Sequence, residues 1–258
     1  MFNSWQEAAL FNTSLISAKN TKTNESWIGT GFYVALVTQD GIALFLVSNK
    51  HVLENTVDVE YSVSLHKKTS KNNGMLLRAG KNEIYVDLLN SEKIKLDWHS
   101  AYFQHPDGDV DLACICCSEL LEREDLVLVP FSQEKILNWD ASFLHPGQQA
   151  YFIGYPDGVS DSKHNLPIMR GGILSSLPYL NFDGQPDFLL DAQVWPGSSG
   201  SPVFVKGEEG QPAFSLIGII HSTRTKFDQT DTNIGLGYAV KSSELLVLFQ
   251  HIISPKEN

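Results

Sequence analysis

Between about residue 28 and residue 240 the chain is a succession of short apolar or alternating runs, each closed by turn residues. Gly31–Val37, Ala43–Ser48, Leu112–Cys116, Ala150–Gly154, Phe188–Val194, Pro202–Val205, Phe214–His221 and Gly235–Val240 are examples. Runs of this length are too short for helices and suit strands that bury one or both faces, so the pattern predicts an all-β sandwich or barrel. Helical periodicity is confined to Ser4–Phe11 and Ser242–Ile253. In the second, Ser242 or Ser243 reads as the cap, and Leu245, Leu246, Phe249, Ile252 and Ile253 share one face. The acid-rich stretch Ser118–Asp125 is expected to begin a linker between two β halves, 1–125 and 126–258.

With 258 residues, 42% of them hydrophobic, such a fold can bury a core without covalent staples. Cys114, Cys116 and Cys117 lie within four consecutive positions, too close to cross-link distant parts of the chain. That usage predicts a reducing, cytoplasmic setting. The one Cys-x-x-Cys pair sits inside an apolar strand, where cysteine acts as a small hydrophobe, so no metal and no cofactor is expected. The first residues carry Glu7 rather than a basic segment, and no apolar stretch approaches the roughly 20 residues of a spanning helix, so no membrane association is expected. A formal net charge of -11 argues against nucleic acid as a partner, because it repels phosphate backbones. Lys67, Lys68, Lys71, Arg78 and Lys81 form one basic cluster, read as a solvated hairpin loop.

Three segments carry chemistry. In Pro196-Gly197-Ser198-Ser199-Gly200-Ser201-Pro202 a serine is held between glycines and runs straight into an apolar strand. A nucleophilic hydroxyl needs such a tight turn, which also lets backbone N–H groups converge on the oxygen of an attacked carbonyl. Upstream, the strand Phe45–Ser48 leads through Asn49 and Lys50 to His51, and Asp107-Gly108-Asp109-Val110-Asp111 precedes the strand Leu112–Cys116. Asp111 is preferred over Asp109 because the apolar run begins directly after it, and Asp107 and Asp109 read as turn acids. The order is His, Asp, Ser, with separations of about 60 and about 90 residues. An α/β-hydrolase elbow does not fit, because position 201 is Ser where it needs Gly, and Pro202–Val205 reads as a strand.

Taken together these segments resemble the trypsin-like serine peptidases, closest to disulfide-free bacterial members. The resemblance covers nearly the whole chain, from about Ile28 to the C-terminal helix. It implies two antiparallel Greek-key β-barrels of chymotrypsin type, the first carrying His51 and Asp111 and the second Ser199. It implies Ser199 as nucleophile, His51 as general base, Asp111 as its orienting acid, and the N–H groups of Gly197 and Ser199 as the oxyanion hole. Ser198 stands where the digestive branch has an aspartate, so activation through a freed N-terminus is not expected. A partner that orders the oxyanion loop is left open. The primary substrate pocket would be lined by Gln193 and by His221, Ser222 and Thr223, with no acid to attract Arg or Lys. The function implied is a serine endopeptidase acting on protein or peptide substrates. A silent or conditionally active copy that serves as a protein-binding module is the alternative.

Overall fold

The computed structural model describes residues 4–39, 41–54, 58–79, 82–96, 101–139, 143–207, 213–225 and 233–254. Lys81 lies outside them. The all-β expectation holds, with one helix near each end of the chain: Trp5–Asn12 (α1) and Ser242–Ile253 (α2).

In the first half the strands are Thr13–Asn20 (β1), Ser26–Thr38 (β2), Gly41–Ser48 (β3), Val59–Lys68 (β4), Met75–Ala79 (β5), Asn82–Leu96 (β6), Tyr102–Gln104 (β7) and Ala113–Cys116 (β8). They pair in the order β5-β6-β4-β1-β2-β3-β8-β7, and the short Phe131–Ser132 (β9) adds in parallel to β2. The second half consists of Gln149–Gly154 (β10), Ile168–Leu174 (β11), Asp187–Asp191 (β12), Pro202–Lys206 (β13), Phe214–Thr225 (β14) and Asn233–Lys241 (β15). These six close into a barrel, β10-β11-β12-β15-β14-β13, whereas the first half runs as an open path.

Period-two alternation explains why β2 and β3 read as unbroken apolar runs. Phe32, Val34, Leu36, Phe45 and Val47 enter a core shared with the second half, while Tyr33, Leu44 and Leu46 enter the core of the first. Both faces are covered, so neither can be polar. The second barrel divides in the same way: Val203 and Val205 fill its interior with Phe152, Phe188 and Ile217, and Phe204 turns to the shared core with Leu216, Ile219 and Val240.

Each terminal helix straps the opposite half. From α1, Trp5 stacks on Phe214 of β14 with ring centroids 5.0 Å apart and also meets Tyr151 and Phe204. From α2, Phe249 packs on Phe45 of β3 at 5.4 Å.

Several local expectations need correction. The N-cap of α2 is Lys241 rather than Ser242 or Ser243, and no side chain caps the helix; Ser242 instead donates its hydroxyl to the Leu137 carbonyl at 2.7 Å. Ser118–Glu122 is a short 3-10 helix. Most of the basic cluster is not loop: Lys67 and Lys68 end β4 and Arg78 lies in β5, with Lys71 in the turn between them. Lys67 pairs with Glu92 at 2.7 Å and with Asp125 at 3.1 Å, and Arg123 joins the same two acids. The β1 strand has no clear signal in the sequence, because Thr13-Ser14-Leu15-Ile16-Ser17-Ala18 mixes small polar residues into its buried face.

Candidate active site

His51 and Asp111 leave neighbouring strand ends. β3 and β8 are antiparallel, with Ser48 opposite Ala113, so the chain just beyond Ser48 and the chain just before Ala113 emerge on the same side. One tight turn then places the imidazole: the Asn49 carbonyl accepts the N–H groups of Val52 and Leu53 at 3.2 and 3.1 Å, and both side chains are buried. Trp27 adds an indole N–H to the Val52 carbonyl at 3.0 Å. His51 is thereby left at the surface with half of its side chain exposed.

The imidazole Nδ1 lies 2.6 Å from Asp111 Oδ2, and the His51 backbone N–H donates to Oδ1 at 3.2 Å. Asn49 donates its amide to the Asp111 carbonyl at 2.8 Å, and Lys50 binds the Gly108 carbonyl, so the residues flanking His51 grip the loop that carries the acid. Burial pushes the Asp111 carboxyl up. The hydrogen bonds and charge of His51, with the nearby His221, more than offset this and hold it below the usual carboxylate range. Asp109 makes no hydrogen bond or ion pair with His51; its N–H donates to Asp107 Oδ1 at 2.9 Å in the turn before.

The serine turn is built from both halves of the molecule. Ser198 N–H donates to the Trp195 carbonyl and Ser201 N–H to the Ser198 carbonyl, each at 3.0 Å. Gly197 and Gly200 take φ of +83° and +87°, where a side chain is strained. Gly200 is also pressed against the Thr30 carbonyl and the Ser48 hydroxyl, leaving no room for a Cβ. From β2, Thr30 N–H donates to the Ser199 carbonyl at 2.8 Å, and Thr30 Oγ1 donates to the Gly197 carbonyl at 2.8 Å while accepting the Tyr155 N–H at 3.2 Å. The Asp157 N–H holds the Pro196 carbonyl at 2.6 Å. In a trans peptide the N–H points opposite the C=O, so this bond aims the Gly197 N–H away from Asp157. Neither the Gly197 nor the Ser199 N–H has an acceptor among the described residues.

The Ser199 hydroxyl donates to the His221 carbonyl at 3.3 Å, and no hydrogen bond joins it to His51. Ser198 is buried, and its hydroxyl has no partner among the described residues. His221, Ser222 and Thr223 line a cleft of about 530 Å³ with Phe182, Asp187 and Tyr238. Within it, His221 Nε2 is 3.0 Å from Asp187 Oδ2, and Thr223 Oγ1 donates to the Leu236 carbonyl at 3.0 Å. Gln193 lies elsewhere, exposed beside Gly235. Cys114 and Cys117 are buried, and burial first of all pushes both thiols well up, so they are poor thiolates. Sequence reasoning missed Thr30, Asn49, Asp157 and Asp187, whose bonds span the fold and leave no local pattern.

A sequence model of the trypsin-like peptidase domain matches residues 29–219. No curated protein matches the chain. Among solved structures, the HtrA-type protease AlgW, in a variant form with a tripeptide, superposes with a TM-score of 0.56 at 19% identity, over 97% of this chain and 64% of that one. The chain therefore spans less than two thirds of that protein's length. The Rv3671c protease from M. tuberculosis, in its active form, superposes with a TM-score of 0.52 at 15% identity, over 98% of this chain and 85% of that one. At such identities the likeness bears on the fold alone, which is chymotrypsin-like and carries no disulfide among the described residues.

Proposed function

Because the chain belongs to the trypsin-like peptidase family, we propose that it is a serine endopeptidase whose triad is His51, Asp111 and Ser199. The observation that carries the reading is the short Nδ1 to Asp111 contact beside a serine turn with two unused N–H groups. Proton placement follows from it. With Nδ1–H donated to the carboxylate, Nε2 is bare and basic, the tautomer a general base requires. Ser199 Oγ would turn from the His221 carbonyl to Nε2 by a change of side-chain rotamer. It would then attack the peptide carbonyl as His51 takes its proton, while Gly197 and Ser199 N–H groups receive the developing oxyanion. Expulsion of the amine, protonated by His51, gives an acyl-enzyme that water cleaves by the same proton path. The proposed substrate is a protein or peptide and the proposed setting cytoplasmic, the latter resting on three free cysteines with no bridging geometry.

One observation favours a second reading. The serine hydroxyl sits on a carbonyl rather than on the base, as in a conditionally active or silent copy that binds proteins. A fluorophosphonate probe separates the two. The peptidase labels in the wild type and not in Ser199→Ala; a silent module labels in neither, with or without partners, and that result removes the catalytic proposal.

A further inference from the structure

The sheet of the first half carries on its outer face a groove of about 650 Å³ that shares no lining residue with the cleft at His221. Strand register builds it. Ile28 of β2 stands opposite Ser17 of β1, Ser17 opposite Ser62 of β4, and Ser62 opposite Lys95 of β6. Directly opposed residues share a face, so these four form one row across the sheet. Ser26, Lys19 and Glu60 form a second row beside it, and Lys93, two residues before Lys95, joins the same face. Short serines in the middle and long side chains at the rim leave a trough in which an extended backbone can lie close to the sheet.

One end of the groove adjoins both turns of the proposed site. Ile28 Cδ1 reaches the serine turn, lying 3.4 Å from where a Cβ on Gly197 would stand and 2.9 Å from where one on Gly158 would. Trp27, whose indole N–H holds the Val52 carbonyl in the histidine turn, lines the groove next to Ile28. From Ile28 to Lys95 there are three steps between neighbouring strands, roughly 14 Å at about 4.8 Å each. An extended chain covers that distance in about four residues.

The far end is positive, in a chain whose net charge is -11. Lys19, Lys93 and Lys95 line it against a single acid, Glu60, which Lys95 already holds at 2.5 Å. Lys19 and Lys93 are exposed, and neither side chain makes an ion pair or hydrogen bond among the described residues. The neighbouring acids are engaged elsewhere. Asp58 pairs with Lys22 at 2.8 Å, Glu25 accepts the Thr23 hydroxyl at 3.0 Å, and Glu92, on the other face of β6, pairs with Lys67 and Arg123.

A trough that is apolar at the site end and cationic about four residues away complements a polypeptide with acids at that spacing. The overall charge repels a long polyanion such as nucleic acid, whereas a short acidic run meets chiefly the local lysines, because charges beyond about 8 Å are screened at physiological ionic strength. We propose that this groove binds an acidic segment of polypeptide. Resting on the serine-peptidase reading, the segment belongs to the substrate, and its Asp or Glu residues stand about four to six positions from the cleaved bond.

Binding is measured by fluorescence polarisation on Ser199→Ala, which the peptidase reading makes inactive, with fluorescein-labelled peptides that differ only in a terminal run of Glu or of Gln. Two exposed ammonium groups predict about tenfold tighter binding of the Glu peptide at low ionic strength, a difference that high salt removes. Adding Lys19→Gln and Lys93→Gln together brings the two peptides level, and Lys19→Arg with Lys93→Arg keeps the difference; both pairs alter exposed side chains and leave Tm unchanged. In wild type, internally quenched peptides carrying the Glu run on either side of the cleaved bond show, on one side, a KM lowered by a similar factor with kcat unchanged. Equal binding of the Glu and Gln peptides overturns the inference, as does a preference that the lysine changes leave intact. Tighter binding of a single-stranded oligonucleotide than of the Glu peptide overturns it as well. Cleavage by wild type in any of those cases leaves the peptidase reading standing. Preferential, lysine-dependent binding of the Glu peptide without cleavage or fluorophosphonate labelling by wild type upholds the groove as the docking face of a binding module and sinks the peptidase reading alone.

Discussion

An imidazole held by a carboxylate can serve as a base in only one tautomer, so Asp111→Asn is the sharpest single change available. The amide can donate to Nδ1, which moves the proton to Nε2 and leaves no base facing the serine; kcat/KM on a peptide ester should fall by about 10⁴-fold. A loss smaller than tenfold would argue that the carboxylate is not the orienting group. The same carboxylate links stability to pH. Its pKa is depressed in the folded protein, so its contribution is present above the ordinary carboxylate range and disappears as pH falls through the folded value. Wild type should melt higher than Asp111→Asn near neutrality, with the gap closing below about pH 4 in thermal scans. Thr30→Val keeps the shape of the side chain but strips the Gly197 carbonyl and the Tyr155 N–H of their shared partner. Each is a buried group, so about 1–3 kcal/mol of stability should be lost in chemical denaturation, and kcat should fall more than KM rises. At this scale the sequence offers candidates where chemistry needs a fixed local pattern, as around His51, Asp111 and Ser199, and the structure joins the first two. It is silent on Thr30 and Asp157, because nothing in Gly29-Thr30-Gly31 marks a residue that bonds to a turn 167 positions away.

Between elements, His66 offers a latch that can be tested alone. It is buried on β4, packs edge-on against Phe11 at 5.3 Å, and its Nε2 lies 2.6 Å from the His164 carbonyl in the second half. That contact requires a proton on Nε2. Burial lowers its pKa, and the His164 carbonyl and Asp87, which favour the charged form, do not outweigh it. A histidine depressed in the fold binds its proton more readily when unfolded. Stability therefore falls as pH drops below about 6.5, the ordinary histidine value. Stopped-flow unfolding of wild type and His66→Gln should show a pH step near that range in the first and a smaller one in the second; equal steps would acquit His66. The α2 helix and most of the strands are legible because their apolar spacing repeats over several turns or residues. The strand β1 and the cap of α2 are not. Their residues answer to distant partners, Ser242 to the Leu137 carbonyl above all, and local propensity has no access to those.

For the molecule as a whole, the decisive feature is a core that belongs to neither half. Phe32, Phe45, Phe131, Phe204, Leu216 and Phe249 meet across the seam, so neither set of strands buries its apolar surface alone. Unfolding should appear as one cooperative transition, with tryptophan fluorescence and far-ultraviolet circular dichroism coinciding, although the sequence suggests two halves. Phe249→Ala should shift that single transition by about 3–5 kcal/mol, and the appearance of two separate transitions in wild type would refute the shared core. The spacing of the motifs leads to the expectation of two β halves, but it carries no trace of the seam, because alternate residues of one strand serve different interiors.

The crowding of Gly200 by Thr30 and Ser48 has a further consequence for how the proposed site comes into being. The loop bearing the proposed nucleophile takes its shape from parts of the polypeptide synthesised long before it, so it acquires a mould only when late and early segments have met. An emerging chain thus carries no preformed site, and any hydrolytic power would follow the meeting of late and early segments.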